Sequence, residues 1–192
     1  MNPGVSSHTS RLGLWENAYR GEHPRAVYGD ATTARVAGGY LNRADVLTVE
    51  DWGCGLGGFK HCIGAWQRYV GIDGSRSPYS DLVADLENYS GGADAVHLRH
   101  VLEHNPGWER ILDNALRSFG RRMVLTTFTP FQDVTRVIAR YPNFNGTGIE
   151  MVDIGFFRDD IVRRFGNLSW FSIENIRTET QYGTEHMFFF ER

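Results

Sequence analysis

The chain has 192 residues, enough for one well-buried domain and too few for two, and with 41% apolar and 22% charged residues it has the balance of a globular protein, not a disordered one. A net charge of −3, with basic residues scattered in short pairs such as Arg121-Arg122 and Arg163-Arg164, gives no concentrated positive surface, so no nucleic-acid partner is expected. No apolar run nears the roughly 20 residues that span a bilayer, so no membrane partner is expected either. The N-terminus lacks a signal-peptide pattern, and Cys54 and Cys62 suit small buried thiols in a reducing compartment, so a cytoplasmic location is expected.

Met1 to Ser10 are polar and expected to be loose. Leu12 to Arg20 reads as a short helix with Leu12, Trp15 and Tyr19 on one face. His23-Pro24 breaks it, and Ala31 to Leu41 resumes helical spacing after Tyr28-Gly29-Asp30, a turn in which Asp30 is the N-cap. Residues 1–45 are thus expected to form a helical lid segment ahead of a domain spanning residues 46–192.

The rest of the chain is organised around the stretch from Val49 to Ile63. An extended run from Leu47 to Asp51 breaks into Gly53, Gly55, Gly57 and Gly58, and helix-compatible spacing resumes over Phe59 to Gln67. Glycines here open torsions closed to other residues and let a ligand approach the main chain. The turn amides then suit a polar or anionic group. Tyr69 to Asp73 reads as a second buried strand, which puts Asp73 at its carboxyl end, 20 residues beyond Gly53. In a doubly wound parallel sheet a carboxylate at that place accepts hydrogen bonds from the hydroxyls of a ribose. Gly53, Gly55 and Gly58 also satisfy G-x-G-x-x-G, which leaves a nicotinamide dinucleotide open as a ligand.

A third extended segment is expected over Asp81 to Asp85, a fourth over Ala93 to Leu98 and a fifth over Met123 to Phe128. A helix is expected from about Pro106 to Phe119, with Ile111, Leu112, Ala115, Leu116 and Phe119 as its apolar face. Val134 to Tyr141 reads as helical, and Asp153 to Phe165 as partly helical. Ser172 to Thr180 and Glu185 to Phe190 form a closing antiparallel hairpin around Tyr182-Gly183-Thr184.

The ordered set of motifs resembles the class I S-adenosylmethionine-dependent methyltransferases. Asp51-Trp52-Gly53-Cys54-Gly55-Leu56-Gly57 is similar to the family's acidic-x-Gly-x-Gly-x-Gly turn, Asp73 to its acid after the second strand, and Asp85-Leu86 to its carboxylate after the third. His100-Val101-Leu102-Glu103-His104 is similar to its H-x-L-E-H stretch, and the closing hairpin to its reversed last strand. The resemblance implies a single-domain Rossmann-like α/β fold with a seven-stranded, mostly parallel sheet, an antiparallel terminal hairpin and helices on both faces. It implies S-adenosyl-L-methionine as cofactor, held by Asp51, Gly53, Cys54, Gly55, Gly57, Asp73, Gly74, Asp85, Leu86 and Arg99. Charge favours this cofactor over a dinucleotide, since Asp51 would repel a pyrophosphate and attract an ammonium.

Methyl transfer from a sulfonium needs an oriented nucleophile and a way to remove its proton. If the stretch after the fourth strand enters a helix, His100, Glu103 and His104 share one face. His100 is then the expected base, with Glu103 orienting it. An E-x-x-E-H segment that holds metal in some family members has His100 in place of its first glutamate, and no metal is expected. The expected reaction is O-methylation of a small-molecule substrate, a saccharide or secondary metabolite. N-methylation, or a binding module without turnover, remains open. Phe188 to Phe190, read as exposed, could pair subunits in a homodimer, although alternating burial along a strand explains them as well.

Overall fold

A computed structural model describes residues 12–21, 30–146, 148–166, 168 and 170–192. In chain order its elements are α1 (Glu16–Gly21), α2 (Thr32–Leu41), β1 (Thr48–Trp52), β2 (Arg68–Asp73), β3 (Leu82–Val83), β4 (Ala93–Arg99), α3 (Trp108–Ser118) and β5 (Phe119–Thr127). Next come β6 (Arg136–Tyr141), β7 (Met151–Gly155), α4 (Arg158–Val162), β8 (Trp170–Arg177) and β9 (Thr184–Glu191). Seven strands form one sheet in the order β3-β2-β1-β4-β5-β9-β8, parallel from β3 to β5 and antiparallel where β9 meets β5 and β8. Strand order reverses between β1 and β4, and the crevice at their carboxyl ends is where a doubly wound sheet takes its ligand.

Alternation along the strands divides the core into two layers. On one face Val49, Ala95, Val124, Met187 and Phe189 pack under Ala34, Ala37 and Leu41 of α2. On the other, Trp52, Val96, Leu98, Met123, Leu125 and Phe188 pack under Ile111, Leu112 and Ala115 of α3. Residues of successive parity on β5 and β9 serve opposite layers, as a two-sided buried strand requires. Among the described residues no helix is long and apolar enough to cross a membrane.

Several expectations are corrected. No helix runs from Phe59 to Gln67; a single 3-10 turn, Gly58–Cys62, ends there. Helix α2, from before β1, covers that face instead: a Cβ on Gly38 would lie 2.1 Å from the Cys62 carbonyl oxygen, so glycine lets the two backbones touch. Gln67 turns back and donates to the carbonyls of Leu41 (2.8 Å) and Val46 (3.1 Å). Nor is Val134 to Tyr141 helical. Residues 136–141 form β6, paired antiparallel with β7 in a separate two-stranded sheet. The β-branched Thr135, Val137 and Ile138 favour that extended state, and a short apolar run does not by itself reveal its period. Asp153 lies within β7, so helix begins only at Arg158. The third extended segment shrinks to Leu82–Val83, and β5 begins at Phe119.

Phe188, Phe189 and Phe190 are at most 4% exposed, so they fill the core and offer no surface on which two copies could meet. Met1 to Ser10, with His8, and His23-Pro24, Tyr28 and Gly29 lie outside the described residues.

Candidate functional site

A cavity of about 600 Å³ opens at the carboxyl ends of β1, β2 and β4. Its first wall is the turn after β1. Gly53 sits at φ 74° and its Cβ position is 2.3 Å from Val101 Cγ2, so neither the torsion nor the space accepts a side chain. Gly55, at φ 50°, turns its amide to donate to Asp73 Oδ2 at 2.9 Å, tying the turn to the end of β2. Asp73 Oδ1 accepts from the Ser75 amide at 2.8 Å, and the Tyr19 hydroxyl lies 3.4 Å from Oδ2. Burial outweighs these bonds and pushes the Asp73 carboxyl up to about 6.

The other expected cofactor residues fall on or near this wall. Asp51, Gly53, Cys54, Gly55, Gly74, Asp85, Leu86 and Arg99 line the cavity. Gly57, at φ 69°, starts the 3-10 turn beneath it. Asp85 accepts from the Glu87 amide (3.0 Å) and the Asn88 side chain (2.6 Å). The Cys54 thiol is pushed up by burial and then by Asp51, Asp73 and Asp81, so it stays protonated. Arg99 is committed to a buried ion pair, its Nη2 lying 2.7 Å from Glu185 Oε1, and Thr33 also hydrogen-bonds Glu185. Residues of the N-terminal segment close over the wall: the Trp15 amide donates to Ser75 Oγ at 2.8 Å, and the Trp15 ring meets Phe144 edge-on at 5.6 Å.

His100, Glu103 and His104 do not share a helix face. His100 takes the left-handed torsion φ 57°, and only a short 3-10 turn, Leu102–His104, follows. The three side chains therefore go to three different partners. His100 Nε2 lies 3.1 Å from Glu185 Oε1, and burial, with help from Arg99 and His104, pulls its pKa down to about 4. Glu103 is fully buried beneath Phe128, whose amide donates to it at 2.6 Å, and burial pushes its carboxyl up to about 7.

His104 lines the cavity. Its Nδ1 lies 2.9 Å from the Val152 carbonyl and 3.4 Å from Asp153 Oδ1. A nitrogen facing a carbonyl must carry the proton, so Nε2 is the basic nitrogen of the neutral ring. Burial opposes the charged form, but Asp153, Glu103 and the Val152 carbonyl outweigh it and hold His104 above its usual pKa.

No family model matches the chain, and no curated protein matches its sequence. Solved structures do match its fold. One is the 1,6-didemethyltoxoflavin-N1-methyltransferase of Burkholderia thailandensis with its acceptor and S-adenosylhomocysteine bound: TM-score 0.61, 14% identity, 91% of this chain and 80% of that one covered. Another is the N-terminal domain of EvdMO1 with S-adenosylhomocysteine bound: TM-score 0.59, 14% identity, 84% and 80% covered. A third is magnesium protoporphyrin IX methyltransferase from Synechocystis PCC 6803 with S-adenosylmethionine bound: TM-score 0.56, 20% identity, 84% and 76% covered. The chain has the class I methyltransferase fold.

On this methyltransferase fold, several residues of the site went unnoticed in the sequence. Asp153, 1% exposed, accepts from the hydroxyls of Tyr182 (2.9 Å) and Tyr141 (3.1 Å), and Gln181 donates to Tyr141 at 2.8 Å. Burial would raise the Asp153 carboxyl, but His104 and the two tyrosines outweigh it and hold it below its usual value. His97 of β4 sits beside Asp51 under the glycine turn. Both Asp153 and His97 had one signal, a lone polar residue inside an apolar strand (Met151 to Ile154, and Ala95 to Leu98). Among the described residues no group of three metal-ligating side chains converges.

Proposed function

We propose that the protein is an S-adenosylmethionine-dependent methyltransferase that acts on a hydroxyl of a small-molecule acceptor, with His104 as general base and Asp153 as the residue that orients it. The observation that carries this reading is that a histidine with a fixed tautomer shares one cavity with the glycine turn and Asp73.

The wall residues suit the cofactor. Asp73 offers carboxylate oxygens where ribose hydroxyls would donate, the turn has no Cβ to block approach, and Asp51 supplies negative charge for an ammonium. When bound, the cofactor supplies an electrophilic methyl group on a sulfonium. The protein's own task is then to hold the acceptor oxygen in line, exclude water and take its proton. Trp15, Phe128 and Phe144 supply apolar wall on the acceptor side. His104 Nε2 receives the proton, and Asp153 stabilises the imidazolium that results. His100 is the poorer base, because its low pKa leaves it little affinity for a proton. A small acceptor fits the cavity's volume, and an amine acceptor would lose its proton to the same base.

Calorimetric titration with S-adenosylhomocysteine tests the cofactor, with micromolar binding expected. Incubation with methyl-labelled S-adenosylmethionine and a panel of phenols, saccharides and amines then tests the reaction. Labelled ether product is expected. Cofactor binding with no product from any acceptor, and unchanged behaviour of His104→Ala, would favour a binding module instead.

A further inference from the structure

The Asp51–His97 pair has a feature that cofactor binding through Asp51 alone does not explain. The two residues face each other across the β1–β4 register. His97 Nδ1 lies 2.7 Å from Asp51 Oδ1, and Asp51 Oδ2 accepts from the Tyr69 hydroxyl at 2.6 Å. Each carboxylate oxygen therefore already has a protein partner. The His97 ring lies flat on Phe59, with centroids 3.6 Å apart and planes 12° apart, so it cannot swing. It is 2% exposed, it lines the cavity, and its Nε2 has no hydrogen-bond partner among the described residues.

A histidine that serves only packing would have both ring nitrogens satisfied, because a buried polar atom left unpaired is destabilising. In the neutral ring Nδ1, which faces a carboxylate, is the nitrogen that carries the proton, and Nε2 presents a lone pair that needs a donor. A ligand in the cavity can supply it. With Asp73 taking the ribose, the amino-acid end of the cofactor would lie across the glycine turn, the part of the cavity that His97, inside β4 and opposite Asp51, also lines. Of the two charged groups at that end, a carboxylate would meet a lone pair and be repelled, whereas an ammonium can donate to it.

We propose that His97 Nε2 accepts a hydrogen bond from the α-ammonium of the sulfonium cofactor, and that Asp51 acts through His97 as a positioning residue. The inference rests on the proposed cofactor. Its test separates the two, because it compares S-adenosylhomocysteine with the analogue that lacks only the α-amino group. By calorimetry the unaltered protein should bind S-adenosylhomocysteine at least tenfold tighter than the analogue. His97→Leu should reduce that preference to twofold or less while leaving affinity for the analogue unchanged, and His97→Gln, whose amide oxygen can accept, should restore part of it.

A preference that survives His97→Leu, or no preference in the unaltered protein, overturns the inference with the cofactor reading intact. Failure of the unaltered protein to bind either ligand overturns the cofactor reading itself. Should His97→Leu lose its thermal unfolding transition, the unaltered protein labelled with nitrogen-15 histidine gives the same answer. The His97 Nε2 resonance should shift with S-adenosylhomocysteine and not with the analogue; equal shifts with both overturn the inference.

Discussion

The two ends of the cavity are built from different materials. At the glycine-turn end main-chain amides carry much of the polar contact to carboxylates near strand ends: Gly55 and Ser75 donate to Asp73, and Glu87 donates to Asp85. At the other end the polar partners are side chains brought from distant elements, with His104 from beyond β4, Asp153 from β7, Tyr141 from β6 and Tyr182 from the turn before β9. The shape of the first end follows largely from the local geometry of the glycine turn. The second exists only once the hairpin of β6 and β7 has docked. On the proposed function a division of labour follows, in which the glycine-turn end would set the affinity for cofactor and the histidine end the rate.

The largest effect expected on that division is His104→Ala. Loss of a general base lowers turnover by roughly 10² to 10⁴-fold, and S-adenosylhomocysteine affinity should stay within twofold. Single-turnover rates and calorimetry check both halves. The base works only when neutral, so the rate should climb with pH through a point above the usual 6.5 of a histidine, because His104 is held above that value. A rate that is unchanged in His104→Ala would break the comparison.

Asp73→Ala should do the converse. Removing the acceptor for two ribose hydroxyls weakens cofactor binding by about 2 to 4 kcal/mol, with turnover at saturating cofactor little changed. Because burial raises the Asp73 carboxyl to about 6, it is increasingly protonated below that pH. A protonated carboxyl is a weaker acceptor, so affinity for S-adenosylhomocysteine should rise as pH increases from 5 to 7. In Asp73→Asn that rise should disappear.

These two tests also mark where the sequence was readable. Gly53, Gly55 and Asp73 were legible because a required torsion and a strand end both leave local traces in residue type. The seven-stranded sheet was legible through extended runs bounded by turns and through the family resemblance that the ordered motifs carry. The Val134 to Tyr141 hairpin strand was not, since its apolar run fits two periods and its pairing with Met151 to Gly155 is a tertiary fact. Asp153 was lost with it. His100, Glu103 and His104 were singled out together, but their grouping on a helix face failed because His100 takes a left-handed torsion and the turn is only three residues long.

Glu103 sharpens the contrast with a smaller effect. It was expected to orient a catalytic base, yet it is fully buried, with Oε2 lacking a partner among the described residues. An acid whose folded pKa is raised to about 7 binds its proton longer in the folded state, so stability falls as pH rises from about 4.5 through 7. Glu103→Gln keeps an acceptor for the Phe128 amide and has no charge to bury. It should be more stable than the unaltered protein by about 3 kcal/mol at pH 8, nearly equal to it near pH 4.5, and close to it in turnover. Urea unfolding at both pH values measures this. A large loss of rate would return Glu103 to the catalytic group.

The smallest effect tests whether the histidine end acts as a network. Tyr182 donates to Asp153 Oδ2 at 2.9 Å, and burial followed by the neighbouring carboxylate pushes its own pKa up, so it remains a donor throughout the working range. Tyr182→Phe leaves Tyr141 as the other hydroxyl on that carboxylate, at 3.1 Å. Losing one such bond costs about 1 kcal/mol, which corresponds to a several-fold fall in turnover with cofactor affinity unmoved. Burial alone would pull His104 below its usual pKa, and Asp153 is the strongest influence holding it up. Loosening Asp153 should therefore also move the inflection of the pH–rate curve to lower pH. A tyrosine that merely packs against Phe128 would lower the melting temperature and leave that inflection in place, so the direction of the pH shift decides whether Tyr182 reaches the chemistry through Asp153.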